Sequence, residues 1–299
     1  MNILLTGANG FIGKIVHQAL SLQGHTVIRA VRRPNLPSDI AVNFEQDITA
    51  EAWIPRLNNI DAIVNTVGIM GGTEAQMMAV HCHTPSALAQ AAAQKNIQYY
   101  VQVSSLGVDS NINTLYFRSK LAGEQGIRNV LPKAGILRPS MVFGLEGAGT
   151  QLFVQLTRLP MIILPHAGNM NIQPVHGSDV GAGVVALLTQ QINHADLPAQ
   201  TIAAVGLDTV SMANYLKSLA AQLNRKSPLR LSCVLPMPLS IAQASAKLAA
   251  FLPQHLWTPD TLAMLCAGSA ADVAPFTHLL GRSPVALKDF VAQPTVIKQ

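Results

Sequence analysis

A glycine-punctuated turn at the start of the chain constrains the fold more than any other feature. Asn2-Ile3-Leu4-Leu5-Thr6 is an apolar run of strand character, and Thr6-Gly7-Ala8-Asn9-Gly10-Phe11-Ile12-Gly13 follows at once. Beyond it Phe11, Ile12, Ile15, Val16, Ala19 and Leu20 recur at helical spacing. Gly7 permits a tight turn, Gly10 lets the backbone approach a ligand, and Gly13 lets helix and strand pack closely. A helix starting there presents unpaired N–H groups and a partial positive charge, which suits a pyrophosphate. Thr6, Gly7, Asn9, Gly10, Phe11, Ile12 and Gly13 are therefore candidate contacts to a dinucleotide.

The alternation continues. Strands are expected over His25–Val31, Ala41–Phe44, Ala62–Val64, Tyr99–Val103 and Gly135–Leu137, with helices over Ala75–Gln94 and Tyr116–Leu131. Six strands with helices between them predict an α/β fold, a doubly wound parallel sheet of the Rossmann type, with its ligand beyond the carboxyl ends of the strands. After residue 140 the alternation weakens into a glycine-rich loop, Gly144–Gly149, helices near 151–159 and 179–190, and a proline-punctuated tail. We expect residues 1–190 to form the dinucleotide-binding domain and residues 191–299 a small, helix-rich C-terminal lobe for substrate or partner.

Charge narrows the ligand. The net charge is +5 and the isoelectric point about 9.3, yet the basic residues are scattered, with no Lys/Arg tract interleaved with aromatics. That pattern argues against nucleic acid and for an anionic cofactor or substrate. The second strand ends Ala30-Val31-Arg32-Arg33 where an NAD site would carry an acidic residue for the ribose hydroxyls. Two guanidiniums suit a 2′-phosphate, so NADP(H) is expected over NAD(H), the alternative being an ordinary solvated pair. Asp47 is placed either for the adenine amino group or as a helix cap.

Three cysteines, Cys82, Cys233 and Cys266, stand far apart and in no metal spacing, so no metal site is expected. Their usage fits a reducing compartment, the cytoplasm or the inner face of a membrane. Met1-Asn2 lead straight into the first strand without the basic flank of a signal peptide. With 49% apolar and 12% charged residues the chain is apolar for its size. Leu231–Leu252, broken by Pro236 and Pro238, reads as a buried helix of the second lobe or as a surface for a membrane or large protein partner.

Several stretches match one family in order: the N-terminal glycine turn, Asp47-Ile48, Asn65–Gly68, Val103-Ser104-Ser105, Tyr116 and Lys120 with Gly123-Glu124, and Leu137-Arg138-Pro139-Ser140. They resemble the extended and atypical short-chain dehydrogenases/reductases, which include epimerases and dehydratases. The run Arg138–Gly144, with Gln173–His176 and Asp179-Val180, is most similar to the atypical branch containing the NADPH-binding accessory subunit of respiratory complex I. The resemblance covers about residues 1–190 and the tail loosely. It implies a nicotinamide cofactor bordered also by Ile48, Asn65, Gly68 and Pro139, and a catalytic set of Ser105, Tyr116 and Lys120. Ser105 is preferred to Ser104 by its place in the pattern.

The chemistry of that set follows from spacing. Tyr116 and Lys120, four apart, share a helix face. An ammonium beside a phenol is expected to lower the phenol's pKa from about 10 and tune it for proton exchange with a small carbonyl or hydroxyl substrate. Lys120 also suits the nicotinamide ribose. Leu106-Gly107-Val108-Asp109 stands where sugar epimerases of the family carry a Tyr-Gly pair, which points away from a nucleotide sugar. The alternative role is a non-catalytic NADPH-binding assembly or sensor protein. His81 and His83 point to different helix faces and read as ordinary core or surface histidines. His176 reads as a substrate contact or a helix cap. Met70, Met77 and Met78 read as packing residues.

Overall fold

The computed structural model describes residues 1–194, 196, 198–223, 231, 233–249 and 257–295. Its first half runs β1 (Asn2–Thr6), α1 (Phe11–Leu22), β2 (Thr26–Val31), β3 (Ile40–Ala41), the short α2 (Ala50–Trp53) and β4 (Ala62–Asn65). Next come α3 (Glu74–Met78), a π-helical turn (Ala79–His83), α4 (Thr84–Gln94), β5 (Tyr99–Val103), α5 (Leu115–Val130) and β6 (Gly135–Pro139). The second half continues with β7 (Val142–Phe143), α6 (Ala148–Leu156), β8 (Met161–Pro165), β9 (Asn171–Ile172), β10 (Val175–His176) and α7 (Gly177–Asn193). It closes with β11 (Thr201–Ala204), β12 (Val210–Ser211), α8 (Met212–Leu223), β13 (Cys233–Met237), α9 (Leu239–Ala249), α10 (Pro259–Ala267) and α11 (Ala274–Leu280).

Seven strands form one parallel sheet in the order β11-β6-β5-β4-β1-β2-β3. Both faces are covered, as a parallel sheet requires. Alternation along β1 sends Leu4 to one face with Trp53, Leu88 and Tyr100, and Ile3 and Leu5 to the other with Val16, Val184 and Phe276. The chain leaves β1 towards β2 and β3, then returns to β4 on β1's other side. The crevice of this fold opens at that reversal. A third core of Phe143, Ile162, Tyr215, Leu216 and Phe290 builds a lobe over the carboxyl end of the sheet.

Four expectations change in detail. The third strand stops at Ala41, because Asn43 begins a turn in which its carbonyl accepts from the Gln46 and Asp47 amides. The long helix expected over Ala75–Gln94 is interrupted by the π-helical turn. Residues 201–204 add a seventh strand beside β6, so the chain beyond residue 190 supplies sheet as well as lobe. The Leu231–Leu252 segment is not one helix: Pro236 lies within β13, Pro238 precedes α9, and proline is excluded from a helix interior. Helix α9 buries Ala242 and Ala246 and leaves Leu239, Ile241 and Leu248 on the surface. Residues 232 and 250–252 of that segment lie outside the described residues. No helix among the described residues is long and apolar enough to cross a membrane.

Helix α5 lies unusually close to the π-helical turn. A Cβ on Gly123 would fall 1.9 Å from the His81 carbonyl oxygen. Gly123→Ala must push the two elements apart, and an unfolding free energy lower by about 1–3 kcal/mol is expected. Gly149→Ala, in α6 with nothing within 4 Å of the added methyl, should be neutral or stabilising by up to about 1 kcal/mol. Chemical denaturation of the two variants beside the parent checks this; equal destabilisation would contradict it.

Candidate active site

The turn between β1 and α1 closes with the Gly10 amide donating to the Gly7 carbonyl at 2.9 Å. Gly7 has φ of +74°, and a Cβ on Gly13 would stand 2.0 Å from the Gly7 oxygen. Helix α1 starts at the N-cap Gly10 with no side-chain cap and no acidic residue in its first turn. Its first amides therefore keep donor capacity for an outside acceptor. They stand at a groove of about 610 Å³ lined by Gly7, Asn9, Gly10, Arg32, Arg33 and Gly68, among others. The groove fits a pyrophosphate at the helix end and an anionic group at the exposed arginines, neither of which pairs with a carboxylate among the described residues.

Other residues expected at the cofactor lie elsewhere. Thr6 donates to the Asn65 side-chain oxygen, and Asn65 donates to Gln102 at 2.8 Å. Both Thr6 and Asn65 are buried, tying β1, β4 and β5 together beneath the groove. Asp47 accepts from the Asn43 amide at 2.6 Å and pairs with Arg56 at 2.7 Å, while Thr49, not Asp47, holds the N-cap position of α2, with no side-chain cap bond. Neither Asp47 nor Ile48 lines the groove, whose rim there is Asn43, Phe44 and Glu45. The Phe11 ring lies against the Gly144–Gly147 backbone. Ile12 and Pro139 line a second hollow.

That second hollow reaches α5 at Tyr116 and Phe117, and Gly68 of the groove lies close to Lys120 of the same helix. Thr114 caps the helix, accepting from the Phe117 amide at 3.2 Å, and the Leu115 amide donates to Asp260 of the lobe at 3.0 Å. Tyr116 thereby reaches Ser105, whose hydrogen bond favours phenolate, but burial is the larger effect and pushes the phenol up to about 12. The expected lowering of Tyr116 is thus reversed in direction. One turn on, the Lys120 Nζ donates to the Val103 carbonyl at 3.4 Å and stands 5.7 Å from the centre of the Tyr116 ring. A Cβ on Gly68 would lie 3.2 Å from that nitrogen, so a side chain there would crowd the ammonium. Burial pushes Lys120 down to about 8 despite the attraction of Glu124. Glu124 is itself held by a two-pronged Arg138 fork, at 3.0 and 2.6 Å.

His81, passed over in the sequence, belongs to this constellation. Its ring stands edge-on to Tyr116 with centres 5.5 Å apart. Nε2 accepts from the Ile69 amide at 3.0 Å, which leaves the hydrogen on Nδ1 to donate to Ser119 Oγ at 2.9 Å. Burial, then the Lys120 charge, push its pKa down to about 3, so it stays neutral. The π-helical turn displaces it from the face that continuous helical spacing assigns, and that insertion carries no signal in residue type. His83 is exposed, and no cluster among the described residues could hold a metal. His176 caps α7 through the Ser178 amide and packs between Phe143 and Phe290, so it serves the helix rather than the cavity.

The second hollow is a cavity of about 420 Å³ beneath the lobe. Ser104, Ser105 and Tyr116 form part of its sheet end, and Phe153, Leu216 and Trp257 are among its lobe walls. Met70 lines it too, one residue after Ile69 lines the groove, so the loop after β4 is shared by both hollows.

The model of the NAD-dependent epimerase/dehydratase family matches residues 3–197. The chain belongs to that family. As a member it is 26% identical over 98% of its length to the mitochondrial NADH dehydrogenase (ubiquinone) 1 alpha subcomplex subunit 9 of Mus musculus, 76% of which is covered. It is 27% identical to the 40 kDa subunit of the Neurospora crassa NADH-ubiquinone oxidoreductase over 61% of this chain, and spans half of that subunit's length. Among solved structures, MoeE5 in complex with UDP-glucuronic acid and NAD superposes with a TM-score of 0.72 at 18% identity, covering 99% of this chain and 98% of that one.

The buried lysine makes the stability of this family member depend on pH. Its folded pKa of about 8 lies below the 10.5 of the free side chain, so between those values the unfolded chain holds more protons. Stability from this group therefore rises with pH above 8, by on the order of 2 kcal/mol up to pH ~10, where tyrosine ionisation in the unfolded chain opposes it. Denaturation of the ligand-free protein at pH 8 and 10 should show that rise, and Lys120→Met should remove it; an unchanged slope in the variant would contradict the assignment.

Proposed function

We propose that the chain is an NAD(P)-dependent oxidoreductase of the short-chain dehydrogenase type, exchanging hydride with a carbonyl or hydroxyl substrate through Ser105, Tyr116 and Lys120. One observation carries the reading: the loop after β4 borders both hollows, and Tyr116 on the cavity wall stands beside Lys120, whose ammonium lies close to Gly68 of the groove. The NAD held by structurally similar MoeE5 supports a nicotinamide dinucleotide, and Arg32 and Arg33 on the groove support NADP(H). When bound, the reduced dinucleotide supplies the hydride. Near neutral pH Tyr116 is protonated and Lys120 mainly charged, so the site is set to give a proton to a substrate oxygen. Ser105 donates to that same oxygen, and Lys120 stabilises the phenolate left behind. The arrangement favours carbonyl reduction over alcohol oxidation, because oxidation needs a phenolate at the outset. Epimerase- or dehydratase-type chemistry would use the same groups with hydride returned to the substrate.

The likeness to the mouse complex I subunit over nearly the whole chain supports a second reading, a non-catalytic NADPH-binding assembly or redox-sensing protein. In it the C-terminal lobe, with exposed Ile241 and Leu248 on α9, meets a protein partner or a membrane surface. Activity separates the two readings. Under the first, Tyr116→Phe lowers turnover by about 10²–10⁴ while titration calorimetry finds dinucleotide affinity unchanged. Turnover that survives the change, or none in the parent with any carbonyl compound, contradicts the first reading. Replacing Arg32 and Arg33 together by alanine should weaken NADPH by about tenfold or more and leave NADH unaltered; equal loss for both removes the NADP(H) preference.

A further inference from the structure

The cavity differs from the groove in one chemical respect. None of its described lining residues carries a charge. A sugar linked to a nucleoside diphosphate would bring two phosphate charges to this wall with no cation to meet them, and an unpaired buried charge is costly. The walls instead come from three lobe helices that each turn apolar side chains inward. Leu152, Phe153 and Leu156 come from α6, Met212 and Leu216 from α8, and Met264 and Leu265 from α10. Several of these, Phe153, Leu156 and Leu265 among them, are only partly buried. An apolar occupant would remove that surface from water.

The polar atoms gather at the sheet end. Ser105 and Tyr116 are there, and so is Ser104, a residue only 6% exposed whose buried Oγ has no hydrogen-bond partner among the described residues. A buried hydroxyl without a partner calls for one. One oxygen-seeking end and one long apolar end define an amphiphile.

We propose that the cavity takes a neutral long-chain ketone or its secondary alcohol, with the oxygen at Ser104, Ser105 and Tyr116 and the hydrocarbon chain running under the lobe towards Trp257 and Met264. This rests on the oxidoreductase reading for its chemistry: the ketone carbon gains hydride from the reduced dinucleotide, its π pair moves to oxygen, and Tyr116 gives that oxygen a proton. Alcohol and oxidised dinucleotide are the products, and the phenolate regains its proton from solvent. The binding claim stands on the cavity alone.

The test uses the full chain and straight 2-ketones from 2-octanone to 2-dodecanone, with UDP-glucose as the charged comparison. Binding is read from Trp257 emission; the only other tryptophan, Trp53, is fully buried among the sheet's helices. Affinity should rise about three- to fourfold per added methylene until the chain fills the cavity, with UDP-glucose without effect. Met264→Lys should weaken 2-dodecanone at least tenfold with NADPH affinity retained, and Ser104→Ala should weaken the ketones about two- to tenfold. Affinity indifferent to chain length, or UDP-glucose binding more tightly than 2-dodecanone, overturns the proposal. Chain-length-dependent binding without any NADPH oxidation supports the cavity assignment and contradicts the oxidoreductase reading. Turnover of a short polar carbonyl with no chain-length effect does the reverse.

Discussion

A lysine ammonium held almost out of water, close to the loop that borders both hollows, is the interaction on which the site depends. Lys120 is 8% exposed, and a buried cation persists only where its surroundings compensate it. The compensation is spread over the fold: the Val103 carbonyl at the end of β5, the Glu124 carboxylate one turn along α5, and the Arg138 fork that fixes Glu124 from β6. The same charge helps keep His81 neutral, which lets that ring accept from the Ile69 amide and orient the loop after β4. The lack of a side chain at Gly68 leaves the ammonium uncrowded. Strand ends, a helix and a loop from four parts of the chain thus converge on one nitrogen.

The two hollows beside that nitrogen are opposite in character. The groove has uncapped helix amides and two arginines, and favours an anion. The cavity has apolar helix faces and a few hydroxyls. The proposed assignment puts the charged ligand in the groove and the neutral one in the cavity, where the phenol of Tyr116 lines the wall. Burial holds that phenol protonated, so the lysine's electrostatic help matters only once the proton has left.

The parts legible in the sequence are those set by local spacing. The glycine turn reads directly, because its requirements fall within eight consecutive residues between an apolar strand and an amphipathic helix. Tyr116 and Lys120 share a helix face by their separation alone. His81 was illegible, because a π-helical turn shifts the register without a distinctive residue. The direction of the Tyr116 shift was illegible too, since it depends on burial of the phenol in the folded chain rather than on the neighbouring lysine. The four-residue edge strand β11 is too short to stand out, and the cavity's walls come from stretches between residues 12 and 269 that only the tertiary fold gathers. Asn65 shows the converse: the family resemblance implied a ligand contact, while its side chain is spent joining Thr6 to Gln102.

The structure of the protein crystallised with NADPH tests the convergence most directly. The account predicts the pyrophosphate on the first amides of α1, the 2′-phosphate at Arg32 and Arg33, and the nicotinamide at the junction of groove and cavity beside Tyr116 and Lys120. A dinucleotide whose nicotinamide lies away from Tyr116, or whose phosphates avoid the α1 terminus, would contradict it.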